Sequence, residues 1–150
     1  MRTKKVEISI FSILYLVGLL LVPTYGIGWD EYGGRAHGTY NLVGVVRFIN
    51  PNWLPSEYSY FPTLDEWYAF THGAWFEMFL SLFEPIFGLE DMHSIYLLRH
   101  YLTYSFCFLG LISFYLFFTR HFKNNFYPWL AVSLAVLSPR QFGDSFYNSK

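Results

Sequence analysis

ISIFSILYLVGLLLVPTYGIGW, residues 8–29, runs without a charged side chain until Asp30. A helix needs about 20 apolar residues to cross the hydrocarbon of a bilayer, and this stretch supplies them. Arg2, Lys4 and Lys5 precede it. Basic residues are retained on the cytoplasmic side, so the flank orients the N-terminus inward and the Asp30 end outward. A cleaved secretory leader is the rival reading. Tyr25–Gly26 is a poor small-residue cleavage site, and further apolar segments follow, which favours an uncleaved anchor over residues 8–28.

A second uncharged run, YLTYSFCFLGLISFYLFFT (residues 101–119), has Arg99 and His100 before it and Arg120, His121 and Lys123 after it. Read as a span over 100–119, it brings the chain back and sets the second basic cluster inside, in agreement with the first flank. A third apolar segment, FYPWLAVSLAVL (residues 126–137), is shorter. It covers roughly 18 Å as a helix, and it reads as a span over about 125–139 if Asn124, Asn125 and Ser138 to Gln141 dip into the membrane and Arg140 snorkels.

Composition points the same way. Hydrophobic residues make up 53% and charged residues 14%, against about 25% charged in soluble domains. Aromatic residues reach 23%, more ring surface than so little charge can shield from water. The formal net charge is −1, which gives no electrostatic basis for a nucleic-acid partner. Cys107 is the sole cysteine, so an internal disulfide is excluded; inside its apolar run it reads as a small buried hydrophobe.

The expected architecture is therefore all-α and polytopic, with about three membrane spans and an extracytoplasmic loop over 30–95. The first half of that loop, to Tyr60, holds Gly33, Gly34, Gly38, Pro51 and Pro55 and reads as irregular with short helical pieces. The second half carries an amphipathic helix over 67–87. Gly73, Glu77, Ser81 and Glu84 recur on one face and aromatic residues cover the rest, a pattern suited to a membrane surface or a bundle wall. A span at 67–87 would move Arg120, His121 and Lys123 outside, against the charge rule.

Two clusters could carry chemistry. Asp30 and Glu31 follow the first span in GWDEYGGR. A carboxylate pair at the outer membrane boundary is placed to act as a base on a lipid-linked substrate, because burial and mutual repulsion tune such groups. The plain alternative is a pair of charges that returns a helix to water. In SPRQFGDSFYNSK, residues 138–150, Arg140, Asp144, Asn148 and Lys150 follow the helix-breaking Pro139. Cations and amides there could hold a phosphate headgroup, with Arg140 forking onto its oxygens, or could form an ordinary interfacial cap. His72, in THGAWFE, is a candidate for phosphate, metal or substrate contact; its plain reading is a hydrogen-bonded interfacial histidine. His37 lies close to the acidic pair in sequence. No histidines stand at zinc-ligand spacing, and no phosphate-loop motif occurs.

These segments resemble the N-terminal part of bacterial membrane glycosyltransferases of the GT-C fold, which include the protein O-mannosyltransferases and the lipid A aminoarabinose transferase. The resemblance rests on Asp30–Glu31 after the first helix, HGAWFE (residues 72–77), YLLRHYLT (96–103) and LSPRQFGDSFYNSK (137–150). It implies a polyprenyl-phosphate sugar donor and inverting transfer on the extracytoplasmic face to a hydroxyl of a protein, lipid or glycan. Asp30 matches the family's base, and Glu31 would position the acceptor or tune Asp30. Arg140 and Lys150 would meet the lipid phosphate, and Asn148 would orient an oxygen. No cofactor is required by such a transfer, though Asp30, Glu31 and His37 leave a divalent metal open. Members of that family are several times longer, so the chain is expected to be an N-terminal fragment of a bacterial inner-membrane enzyme, inactive by itself. The rival readings are a non-catalytic membrane subunit or lipid-binding anchor, and, more weakly, a piece of a transporter.

Overall fold

The computed structural model describes residues 2–58, 60–62 and 74–147. His72, Asn148, Lys150 and the 67–73 part of the expected amphipathic helix lie outside them. All regular structure among the described residues is helical: α1 (Arg2–Leu21), α2 (Glu31–Ile49), α3 (Trp75–Ile86), α4 (Met92–His121), α5 (Phe126–Leu137) and α6 (Pro139–Tyr147), with short 3₁₀ turns after α1 and α2. The chain forms two compact units, one built on Met1–Ile27 and Tyr96–Asn148, the other on Gly28–Ile95.

Two helical segments, both largely in the first unit, are long and apolar enough to cross a membrane, Lys4–Thr24 and Met92–His121. Only 11% of the first apolar window and 22% of the second are buried, whereas a soluble core helix would be mostly covered. The α-helix of the first segment ends at Leu21, short of the expected residue 28. Pro23 has no N–H to donate and its ring crowds the carbonyl one turn back, so the chain passes into a 3₁₀ turn over Val22–Thr24. The Thr24 hydroxyl caps that turn on the Leu21 carbonyl at 2.7 Å.

Aromatic packing joins the helices of this unit. Tyr15, Tyr104, Phe146 and Tyr25 form a column of near-parallel rings, with centroid separations of 5.7, 5.0 and 4.3 Å along it. Gly18 of α1 makes room for the column, since a Cβ there would overlap the Tyr104 phenol. The Tyr104 hydroxyl donates to the Leu14 carbonyl at 3.1 Å, which satisfies a polar group that would be costly to bury unpaired. Phe11, Tyr115 and Trp129 form a second cluster, and it attaches α5. The tail after Pro139 is helical: α5 ends at Leu137, and Pro139 opens α6, as suits its fixed φ and missing donor. Arg99 and His100, read from sequence as a flank of the span, are buried side chains within α4.

The second unit is a pair of packed helices: α3 falls within the helix expected over 67–87, and α2 forms where short helical pieces in an irregular segment were expected. Over α2 the glycines do not break the helix; two of them let α3 approach. A Cβ on Gly34 would come within 2.8 Å of Glu77 Oε1, and one on Gly38 would overlap the Glu77 backbone carbonyl and lie 2.8 Å from Ser81 Oγ. Glycines four apart lie on one helix face and allow backbones to touch. Close packing thus offsets a propensity cost of about 1 kcal/mol per glycine. Gly33 meets nothing within 4 Å. Gly33→Ala should therefore raise stability by up to about 1 kcal/mol, while Gly38→Ala should lower it by about 1–2 kcal/mol through overpacking. Thermal melts of the two variants in one detergent give the comparison, and equal midpoints would refute the packing account.

α3 ends in a Schellman turn. Gly88 takes φ 60°, its N–H donates to the Pro85 carbonyl, and the Leu89 N–H donates to that of Glu84, both at 3.2 Å. Asp91 then caps α4, its Oδ2 accepting from the Ser94 N–H at 3.0 Å and the Ser94 hydroxyl at 3.1 Å. The Ser94 backbone bond, followed by its side-chain bond, holds the Asp91 carboxyl below its ordinary value of 3.8. A carboxyl depressed on folding stabilises above its unfolded pKa, and the contribution is lost as pH falls through the folded value. Amide protection at Ser94 should accordingly drop at acid pH, and Asp91→Ala should abolish that pH dependence; a dependence that persists in the variant would remove the cap from the explanation.

Candidate functional site

The helix-to-helix turn after α1 separates the two acidic residues expected to act together. Asp30 is at the N-cap position of α2 with φ −95° and ψ −7°, and its side chain makes no cap hydrogen bond. Its backbone carbonyl accepts from the Gly34 N–H at 2.9 Å, and the residue is exposed. Glu31, one residue on, is only 8% exposed. Its Oε1 accepts from the Gly28 N–H, while its own N–H donates to the Gly28 carbonyl at 3.2 Å. Glu31 therefore ties the turn shut, and Asp30 faces outward.

Behind Asp30 a polar seam runs between α2 and α3. Arg35 Nε donates to both Glu84 oxygens, at 3.2 and 3.0 Å, and Nη2 reaches Oε2 at 2.8 Å. This forked geometry is the strong form of a guanidinium–carboxylate bond. The two side chains are 26% and 9% exposed. Further along, the Thr39 hydroxyl donates to Ser81 Oγ at 3.4 Å. Asn41 Nδ2 donates to the His37 carbonyl at 2.8 Å and lies 3.3 Å from its Nδ1. Glu77, Ser81, Glu84 and His37 are all buried. At the far end of α2, Arg47 donates to the carbonyls of Phe61 at 2.9 Å and Tyr58 at 3.2 Å, pinning the following loop.

The periodicity that grouped Glu77, Ser81 and Glu84 on one face of α3 holds, but that face is inward. The exposed residues of α3 are Trp75, Phe79, Leu82, Pro85 and Ile86, and those of α2 are Tyr32, Gly33, Val45, Phe48 and Ile49. The charged side chains of the two helices are buried or, at Arg35 and Arg47, partly buried.

Of the other expected site residues, Arg140 stands on α6 with its side chain 92% exposed and its Nε 3.7 Å from Asp144 Oδ2. So solvated a pair contributes little to stability. Asp30 and Glu31 belong to the second unit and Arg140 to the first. Among the described residues, no group of three or more His, Cys, Asp or Glu side chains is arranged to hold a metal ion. Sequence reasoning missed Arg35 and Glu84, which lie 49 positions apart; the Gly34-x-x-x-Gly38 spacing was the available sign that α2 packs closely on another helix. No family model, no characterised protein and no solved structure matches the chain.

Proposed function

We propose that the chain is the membrane-embedded N-terminal part of a glycosyltransferase that uses a polyprenyl-phosphate sugar. In this reading α1 and α4 cross the bilayer, α5 with its flanking residues completes a third crossing, and Asp30 faces the extracytoplasmic side. The observation that carries the reading is the division of labour in the acidic pair: Glu31 is inward and bonded to Gly28, while the neighbouring Asp30 carboxylate is exposed on a braced helix terminus. A general base must be held still and still reach its substrate.

The chemistry is the one that the family resemblance implies. The acceptor hydroxyl gives its proton to the Asp30 carboxylate as its oxygen attacks the anomeric carbon. The bond from that carbon to the phosphate oxygen breaks on the opposite face, so the configuration inverts and the lipid phosphate leaves with the bonding electrons. A cation beside the departing phosphate lowers the barrier by opposing the charge that develops there. The resemblance gives that role to Arg140, which is exposed on α6.

The direct experiment is transfer of radiolabelled sugar from a polyprenyl-phosphate donor by the full-length protein in membranes. Transfer is expected, and Arg140→Glu should weaken donor binding at least tenfold through repulsion of the phosphate. Unaltered donor affinity in Arg140→Glu would withdraw the phosphate role, and no transfer from any such donor would withdraw the reading itself.

A further inference from the structure

We infer that the α2–α3 pair is seated in the boundary layer of a lipid bilayer, its outer rings among the acyl chains and its polar seam held between the helices. The inference rests on the membrane part of the reading above and is independent of sugar transfer. A helix pair built for water turns charged side chains outward and apolar ones inward. Here the buried face mixes Phe76, Leu80 and Val43 with charged and hydroxyl side chains, and the exposed face is apolar. Trp75, Phe79, Leu82 and Ile86 of α3, with Val45 and Phe48 of α2, are exposed, while Glu77, Ser81 and Glu84 are buried and Arg35 is paired across the seam.

The occupant of that surface follows from its extent. A second copy or a partner protein covers one patch. The apolar exposure instead occurs on both helices of this pair, and again along α1 and α4, where Leu16, Leu20, Leu109 and Phe117 are exposed. A solvent meets exposed faces spread over four helices, and the apolar solvent that fits α1 and α4 in length is lipid. The connections agree. α3 passes through five residues, Phe87–Asp91, directly into α4, and the exposed charges of that link, Glu90 and Asp91, mark where the chain meets water. Exposed Trp29 and Trp53 bracket α2 with the residue type that prefers the headgroup level. A helix pair at that depth would hold Asp30 where the phosphate of a membrane lipid lies, and its polar seam would be dry.

The test uses the full chain with Cys107→Ser, carrying a nitroxide at Phe79→Cys, Leu82→Cys or Leu109→Cys, in phosphatidylcholine vesicles. Power saturation compares collisions with oxygen, which enriches in acyl chains, and with a nickel chelate, which stays in water. The expected result is a several-fold excess of oxygen over nickel accessibility at all three sites. Oxygen-rich signals at Leu109→Cys with nickel-rich signals at Phe79→Cys and Leu82→Cys would overturn the inference and leave the membrane reading intact. Low accessibility to both reagents at the α3 sites would also overturn it, because protein would then be the covering. Nickel-rich signals at all three would remove both. In the chain without cysteine changes, brominated acyl chains should quench tryptophan emission, and Trp75→Phe should lower the quenched share; an unchanged share counts against the inference without relying on any labelled variant.

Discussion

Asp30→Asn should cut sugar transfer by the full-length protein by about 10²–10⁴-fold, the range that a positioned general base contributes. Asparagine keeps the shape of the side chain and cannot take the proton. Asp30 is exposed and its side chain makes no helix-cap bond, and asparagine keeps its size and hydrogen-bonding reach, so membrane insertion and thermal stability should be retained. Donor binding should persist too, because the carboxylate acts on the acceptor and not on the lipid phosphate. The loss therefore appears in kcat with little change in the affinity for donor. Full transfer by Asp30→Asn would exclude Asp30 as the base. A loss accompanied by lower expression and a lower melting point would assign it a structural role.

Arg35→Ala should destabilise the second unit by about 3 kcal/mol, the lower end of what removing one partner of a buried ion pair costs. The lower end applies because the Arg35 side chain is 26% exposed. Its removal leaves the Glu84 carboxylate, 9% exposed, without the guanidinium that neutralises it. Truncation to Ala also removes the apolar stem. The companion variant Arg35→Met with Glu84→Leu takes away both charges and fills the space, and such replacements are commonly neutral or better. It should recover most of the loss. Denaturation in detergent followed by far-UV circular dichroism reads both variants, with hydrogen exchange to localise the change to α2 and α3. A double variant as unstable as the single one would mean that the seam is held by something other than charge neutralisation.

How far the sequence could be read depended on which interactions were local. The long apolar runs of α1 and α4 were legible because membrane length is a property of consecutive residues. The place where α1 stops was overestimated: apolar character continues to Trp29, whereas Pro23 ends the helix geometry. The helix α2 was missed because Gly33, Gly34 and Gly38 read as breakers. Their value lies in how near Glu77 and Ser81 come, and that is decided by residues some 40 positions away. In α3 the spacing of Glu77, Ser81 and Glu84 revealed a face, but periodicity gives two faces without saying which medium each one meets.

The site divides in the same way. Asp30 and Glu31 were conspicuous as a pair, yet adjacent residues on a helix terminus point in different directions. One ended exposed and the other ended bonded to Gly28. Arg35 with Glu84 could be found only by folding α3 onto α2. Arg99 and His100 looked like membrane-flanking cations, but α4 begins at Met92, seven residues earlier than Arg99, and the helix carries them into buried positions.

Housing three glutamates and an arginine on the inside, with tryptophan, phenylalanine and isoleucine on the outside, has a practical corollary for preparing this protein. With the α2–α3 pair seated in lipid as proposed, Gly28–Ile95 alone should precipitate or cluster in water. Micelles or nanodiscs should then be needed from extraction onward, for the segment that looks like a loop as much as for the helices that look like anchors.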